Sequence, residues 1–454
     1  MVSFAWTADH PGGLRSHVVD LAHALRDHGY AVFVHCVNTD PQAPPFETRS
    51  WIEDGIHVQE LNHAYQDLKA LAGFQCVDQA EVILREWVRY YQLQLVDVHH
   101  TLYVGVRALP ALSAQVPVVA TLHDYWLLDP RGQLFGFASQ PGATLTAEAW
   151  EAGVRQTWPH LFRQSLSQLH YYNPTTHLDR VDSPRLMQTW QSYSRRCLSA
   201  CRRLVAPSEA AAATFLNYGF SQPIRVIENG IDPSGLLNGL LEESVDSIQN
   251  GPIRMGLLGN VAPSKGQLAF CEALLSTPWR ADVKLHLYGQ IPDTYHGDSS
   301  PQQRLKGLMV RYPELILWHG AYQRDQLKAI FAGLDLLVMP SLWPEVYGLI
   351  AREALCYGLP LIVSNAGALA ELDGRSHVFL LDAADPAGWS EALNAAFERG
   401  PLLRWVYERR RRILPPDSTV RTSAECAVEV AELYQEVLAT ADEAAALIPA
   451  HSLR

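Results

Sequence analysis

The chain predicts an α/β protein of two doubly wound domains, each a parallel sheet flanked by helices. Three observations point there. Residues 2–6 read as a short buried strand, Leu14, Val18, Leu21, Ala22 and Leu25 fall at helical spacing, Gly29 stops that helix, and residues 31–37 form a second apolar strand. A strand–helix–strand opening implies a parallel sheet, because parallel neighbours need a crossover between them. The same rhythm continues through both halves. Finally, 454 residues of 48% hydrophobic composition suffice for two cores of ordinary size and are too many for one.

Taken in order, residues 95–99, 117–122, 203–206 and 225–228 are the later strands of a first domain spanning 1–245. The stretch 236–251 is acidic, polar and Gly-containing, the composition of a linker. Strands at 253–258, 283–288, 315–318, 335–339, 360–363 and 378–381 then alternate with helical patterns, giving a second domain over 252–414. Beyond Pro415-Pro416 a last helix is expected at about 418–440, within a tail of residues 415–454. No internal repeat or low-complexity tract is present. Residues 129–200 interrupt the first domain and are rich in Trp, Tyr, His, Gln and Pro, including Arg131, Trp150, Trp158, His160, His170, Tyr171, Tyr172 and His177. Such groups suit carbohydrate faces, or equally a satellite whose aromatics pack on one another. Their histidines lack metal-ligand spacing.

The bulk numbers exclude several classes. A formal charge of −12 and a pI near 5.8 argue against nucleic acid as the main partner, since phosphate backbones call for a concentrated basic surface. The basic clusters Arg195-Arg196 with Arg202-Arg203, and the run Arg409 to Arg412, are small and expected on solvated helix faces. The seven cysteines are scattered, with no CxxC pair, and read as buried thiols of a reducing compartment. The chain opens on a strand rather than a leader, and no apolar run approaches the ~20 residues that span a bilayer. A cytoplasmic protein is expected, with peripheral membrane contact left open.

Chemistry concentrates in the loops that follow strands. The segment from Trp343 to Ala354 holds two carboxylates, Glu345 and Glu353, eight positions apart, after Pro344. If a helix begins near Val346, a rise of ~1.5 Å per residue sets them roughly 12 Å apart, a span that suits an extended ligand such as a nucleotide diphosphate sugar. Two unrelated surface carboxylates would show the same spacing. Residues 259–266 follow a strand and open a helix, so Lys265 stands where it can neutralise a diphosphate. This is no Walker loop, because the GxxxxGK[ST] order is absent. Gly12 and Gly13 precede the first helix, where backbone amides can approach an anion or a sugar, but they lack the GxGxxG spacing of a dinucleotide site.

The block Pro340-Ser341, Glu345-Val346-Tyr347-Gly348-Leu349, Glu353-Ala354 and Gly358-Leu359-Pro360 resembles the donor-site signature of family-4 (group 1) glycosyltransferases, retaining enzymes of the two-domain GT-B fold. Gly12-Gly13, Thr121 to Asp124, Pro207-Ser208, Asn229 to Asp232, and Gly259 with Lys265-Gly266 occur in that family's order, so the resemblance covers most of residues 1–400. It implies two Rossmann-like domains facing a cleft and a C-terminal helix that crosses back to the first. It also implies that Glu345 touches hydroxyls of the transferred sugar, that amides near Gly348 and Leu349 hold the distal phosphate, and that Glu353 accepts from the ribose. Tyr347 replaces the family's usual Phe, and Tyr322 lies where the nucleobase usually packs. Asn260 stands where Arg is usual, which removes a positive charge that Arg324 could restore, although a surface position at a helix start suits Arg324 as well. His123 matches a histidine that the family places near donor sugar and acceptor. Asp124 could fix its tautomer or cap a helix, and capping is favoured. His17, His100, Asp124, Trp126 and Arg131 are the expected acceptor side.

The implied reaction moves a sugar from a nucleotide diphosphate sugar, as co-substrate, to an acceptor hydroxyl of unknown identity, with no cofactor and, for want of an Asp-x-Asp pair, no metal. Two rivals stay open: a sugar-nucleotide epimerase or phosphorylase on the same fold, and a sugar-nucleotide-binding subunit without catalysis, to which Asn260 lends weight.

Overall fold

A computed structural model describes residues 1–7, 12–63, 71–135, 145–157, 186–232, 251–295, 298–411 and 414–446. The expectations for Trp158, His160, His170 to Tyr172, His177, Arg412 and most of the 236–251 linker fall outside the described residues. The chain divides into two compact units, Met1–Gly132 with Trp150–Gly230 and Thr422–Arg454, and Gln133–Ala149 with Ile231–Arg421.

The first unit holds strands β1 (Phe33–Asn38), β2 (Thr48–Glu53), β3 (Ile56–Asn62), β4 (Val96–Val98), β5 (Val118–Thr121), β6 (Arg203–Ala206) and β7 (Ile224–Val226). They run in the orders β1-β3-β2 and β4-β5-β6-β7, all parallel but for the β2–β3 pair. The expected first strand at 2–6 is only a bridge. Val2 pairs with His35 and with Val98, joining the two groups of strands, and then the Ser3 hydroxyl accepts the Ala5 amide at 3.2 Å and bends the chain out of the ladder. The antiparallel hairpin β2–β3 went unforeseen because β2 is a polar, exposed edge. Its signal was Asp54-Gly55, both at positive φ (48° and 79°), which matches the twist of a tight hairpin.

The helix Gly13–Asp27 lays Val18, Leu21, Ala22 and Leu25 on this sheet. The C-terminal helix Ser423–Ala446 packs beside it and adds Cys426, Ala427, Val430, Leu433, Tyr434 and Val437 to the same core. The last helix therefore belongs to the first unit. It begins later than the expected residue 418, and Thr422 accounts for that: its hydroxyl and amide share the Glu425 carboxylate at 2.8 Å, a capping arrangement.

In the second unit, β8 (Ile253–Leu258), β9 (Val283–Tyr288), β10 (Ile316–Trp318), β11 (Leu336–Met339), β12 (Leu361–Ser364) and β13 (Val378–Leu381) form one parallel sheet of order β10-β9-β8-β11-β12-β13. Counted from β8 this is 3-2-1-4-5-6, the doubly wound order that binds nucleotides at its point of reversal. Alternation along β11 feeds both faces: Leu336 and Val338 join the core under the helix Gln267–Leu275, while Leu337 and Met339 join the one under the helix Leu349–Cys356.

Two residues of the basic run are engaged with the protein, while Arg411 is exposed as expected. Arg409 lies over the Tyr357 ring at 4.9 Å and donates to the Phe331 carbonyl. Arg410 donates to Asp335 at 2.9 Å, and Arg254 binds the same buried carboxylate through its amide and guanidinium. None of the seven cysteines is disulfide-bonded and all are buried. No described helix is long and apolar enough to cross a membrane.

Removing the Asp335 carboxylate takes the shared anion from two guanidinium groups, leaving Arg410 only the Gly251 and Pro252 carbonyls, so Asp335→Ala is expected to cost about 3 kcal/mol in urea unfolding. Burial alone would raise this carboxyl, but hydrogen bonds from Arg410 and Arg254 outweigh it and hold the group below its usual value. Its share of stability is thus complete above about pH 3.9 and is lost as pH falls through the lower folded value, a slope that the Ala variant should lack.

Candidate active site

The strands β8 and β11 are neighbours whose following helices cover opposite faces, so the loops after them open the crevice at which such sheets bind ligands. Two features draw these loops together. Gly266 takes the left-handed conformation (φ 70°), and a Cβ there would stand 1.9 Å from the Pro340 carbonyl oxygen. The amides of Leu342 and Trp343 both donate to the Ser264 carbonyl, at 2.7 and 3.2 Å.

On this frame Lys265 Nζ donates to Glu345 Oε1 at 2.7 Å. The same oxygen accepts Trp343 Nε1 at 2.8 Å and the Ser341 hydroxyl, and the ammonium lies 4.9 Å from the centre of the Trp343 ring. The Glu345 side chain is 6% exposed and that of Lys265 29%, so the carboxylate is the fixed partner and the ammonium the reachable one. Behind Glu345 its backbone pairs with Gly367, whose missing side chain permits the approach, since a Cβ would meet the Glu345 carbonyl at 2.4 Å.

The helix does not begin near Val346. Gly348 is left-handed (φ 78°), which a continuing right-handed helix cannot contain, and the helix runs from Leu349 to Cys356. Glu345 therefore sits in the loop and Glu353 on the helix, and a purely helical rise no longer describes their separation. Tyr347 is buried, with the Arg352 guanidinium stacked on its ring at 3.9 Å and donating to its carbonyl. Glu353 is buried too and forms an ion pair with Arg324 Nη2 at 3.7 Å. Arg324 starts a short turn of 3-10 helix, so it is both a helix-start residue and a cation beside the second carboxylate. Burial, and after it the charge of Glu353, push the Tyr322 hydroxyl up, so this ring stays neutral. Asn260 is exposed, and its side-chain oxygen accepts the Gln290 amide at 3.1 Å, a loop-closing bond.

Of the residues expected in the first unit, Gly12 and Gly13 cap and open the first helix, with open space around the position a Gly12 side chain would fill. His123 follows β5, and its Nε2 lies 2.9 Å from His99 Nδ1, with the His17 ring 5.0 Å away. Burial, then the neighbouring His17, His99 and His100, hold His123 well below the usual imidazole range, and burial with His99 pulls His17 down to about 3. Both are uncharged at neutral pH. Asp124 does not serve the His123 tautomer: it accepts the Trp126 amide at 2.9 Å, capping a turn rather than a helix, and binds His100 Nε2 at 2.8 Å. Trp126 and Arg131, expected on the acceptor side, are buried. Trp126 packs edge-on against Trp190 and Phe74, and Arg131 is held by the fully buried Asp129.

Residues 11–234 match the family model described as Glycosyltransferase Family 4, and residues 252–399 match that of Glycosyl transferases group 1. The chain belongs to the family-4, group 1 glycosyltransferases. Among the relatives of this glycosyltransferase, a D-inositol 3-phosphate glycosyltransferase of Xylanimonas cellulosilytica is 24% identical over 85% of the chain and 83% of its own length. An uncharacterized 41.2 kDa protein in the cps region of Klebsiella pneumoniae is 28% identical over 33% of the chain, and the match spans only 38% of that relative. The solved structure of sucrose-phosphate synthase from Thermosynechococcus elongatus superposes with a TM-score of 0.62 at 17% identity, covering 94% of each chain. The fold is GT-B, built of two Rossmann-like domains.

Four residues of this glycosyltransferase have contacts that the sequence reading did not assign. Ser341 and Trp343 bind Glu345, Arg352 braces Tyr347, and Gly367 backs the loop. Ser341 belongs to the signature block and Trp343 opens the segment, so both could have been read as donors to Glu345; Arg352 and Gly367 are set by packing that no spacing reveals. A Cβ at Gly266 must push the two loops apart, so Gly266→Ala is expected to lose about 1–3 kcal/mol, read as a lower melting temperature with circular dichroism of the folded state unchanged.

Proposed function

We propose that this glycosyltransferase transfers a sugar from a nucleoside diphosphate sugar to an acceptor hydroxyl with retention of anomeric configuration. The observation that carries the reading is the Lys265–Glu345 pair, 2.7 Å apart in the loops after two adjacent strands. As the glycosidic bond to the donor breaks, negative charge builds on the diphosphate, and the partly exposed ammonium stabilises that state more than the ground state. Glu345, held by Ser341 and Trp343 as well as Lys265, keeps its position while the ammonium turns to phosphate, and its second oxygen accepts hydroxyls of the sugar. Amides at Gly348 and Leu349 take the distal phosphate, and Glu353 takes the ribose once Arg324 yields it. Tyr322 flanks the base.

Asn260 adds no charge, so Lys265 and the helix amides carry the neutralisation, and the reaction as proposed needs no metal. No carboxylate is offered as a nucleophile. The departing phosphate takes the acceptor proton on the same face, while neutral His123 hydrogen-bonds a hydroxyl. Gly12 and Gly13 present amides to the donor, and His17 and His100 lie on the acceptor side. Buried thiols suit a reducing compartment, and we place the work in the cytosol, in carbohydrate biosynthesis.

A thermal-shift screen of nucleoside diphosphate sugars should find one donor that raises the melting temperature, since only the folded form binds it. With that donor, Lys265→Ala and Glu345→Ala should each lower turnover by about 100-fold or more while both variants melt as cooperatively as the parent. Full activity in both would refute the site. Conversion of the donor sugar to its epimer in the absence of acceptor would favour an epimerase instead.

A further inference from the structure

A line of buried polar groups runs through the first unit behind His123. The Tyr434 hydroxyl donates to Asp97 Oδ2 at 2.5 Å, and the same carboxylate oxygen lies 3.3 Å from His99 Nε2. His99 Nδ1 in turn lies 2.9 Å from His123 Nε2. Asp97 is 4% exposed and His99 1%, so neither has water to turn to. The 3.3 Å approach is not aligned as a hydrogen bond, but a lone pair turned to a buried, ionised carboxylate would be repelled by it, so the Nε2 that faces Asp97 carries the proton. With a single proton on His99, its Nδ1 is then a lone pair, and the nitrogen opposite, His123 Nε2, must supply the hydrogen. A neutral His123 whose proton sits on Nε2 has its lone pair on Nδ1, to which no described residue donates. His123 keeps partial exposure, unlike the two groups behind it.

We propose that Asp97 and His99 are positioning residues that lock His123 as its Nε2–H tautomer, so that Nδ1 accepts a hydrogen bond from a substrate hydroxyl. The idea rests on the reading of His123 as a substrate-contacting group, but the tautomer itself is independent of it. The His99 and His123 rings are near coplanar, with 21° between them and centres 5.1 Å apart, which suits an in-plane N–H···N bond, and the His17 ring lies against both and holds the imidazoles from rotating. Tyr434 fixes Asp97 in place from the C-terminal helix.

The test is a tautomer assignment in the full chain, by long-range nitrogen–proton correlation spectra with labelled histidine, assigned through His99→Leu and His123→Ala. The wild type should show His123 as Nε2–H. His99→Leu, which removes the acceptor, should mix the tautomers. His99→Gln should keep the wild-type pattern, because its amide can donate to Asp97 and accept from His123. With the donor found by thermal shift, kcat should fall about 10-fold or more in His99→Leu and Asp97→Asn, with the donor KM little changed, and recover in His99→Gln. A wild-type His123 protonated on Nδ1 would overturn the proposal, as would an unaltered tautomer in His99→Leu. So would a stoichiometric transition metal in the purified protein, since the nitrogens of His17, His99 and His123 lie within 4.8 Å of one another and would then share a cation in place of a proton. Full turnover by His123→Ala would instead sink the substrate-contact reading and leave the spectroscopic result standing.

Discussion

The second unit depends on one close approach, the loop after β8 against the loop after β11. A sheet that reverses its winding between those strands must leave a gap there, because the two following helices depart to opposite faces. Gly266 and the shared Ser264 carbonyl narrow that gap until an ammonium from one loop reaches a carboxylate from the other. Burying Glu345 would be costly by itself; a lysine, an indole N–H and a hydroxyl converging on one oxygen offset the cost. The position of the carboxylate is therefore overdetermined, while its cation sits near enough to solvent to change partners. The second carboxylate also faces a cation, Arg324, at the longer distance of 3.7 Å. Both acids of the motif are thus held by cations that a nucleotide's phosphates could attract.

The first unit rests on a different constraint. Its core is incomplete without the C-terminal helix, which contributes Val430, Leu433 and Val437 beside residues of the first helix. The same helix delivers Tyr434 to Asp97, so the packing that stabilises the unit also fixes the first link of the chain that reaches His123. Fold and site share residues that are 337 positions apart in sequence.

Much of this was legible beforehand. The strands of the second unit emerge near their expected bounds, because parallel strands buried on both faces leave unbroken apolar runs bounded by turn residues. Lys265 and Glu345 were visible as polar groups in the loops those runs imply, and Glu353 as one on the helix that follows. Errors arose where local chemistry competes with pattern. The helix after Glu345 starts at Leu349 since Gly348 adopts a left-handed backbone. Residues 2–6 pair at one point since a serine side chain bends them away. Arg410 looked like a surface charge because a run of arginines carries no mark of the buried aspartate that binds one of them.

What the sequence by itself determined is periodicity and order: which segments are most of the parallel strands, which loops follow them, and so which side chains stand in those loops. These are local properties, settled by neighbours a few residues away. Only the tertiary structure decided which of those side chains meet. The pairing of Glu345 with Lys265 across 80 positions, and the line from Tyr434 through Asp97 and His99 to His123, depend on strand order and on a helix returning from the far end of the chain. No spacing encodes such contacts, because distance in space between non-neighbouring elements is set by how the sheets are wound and covered.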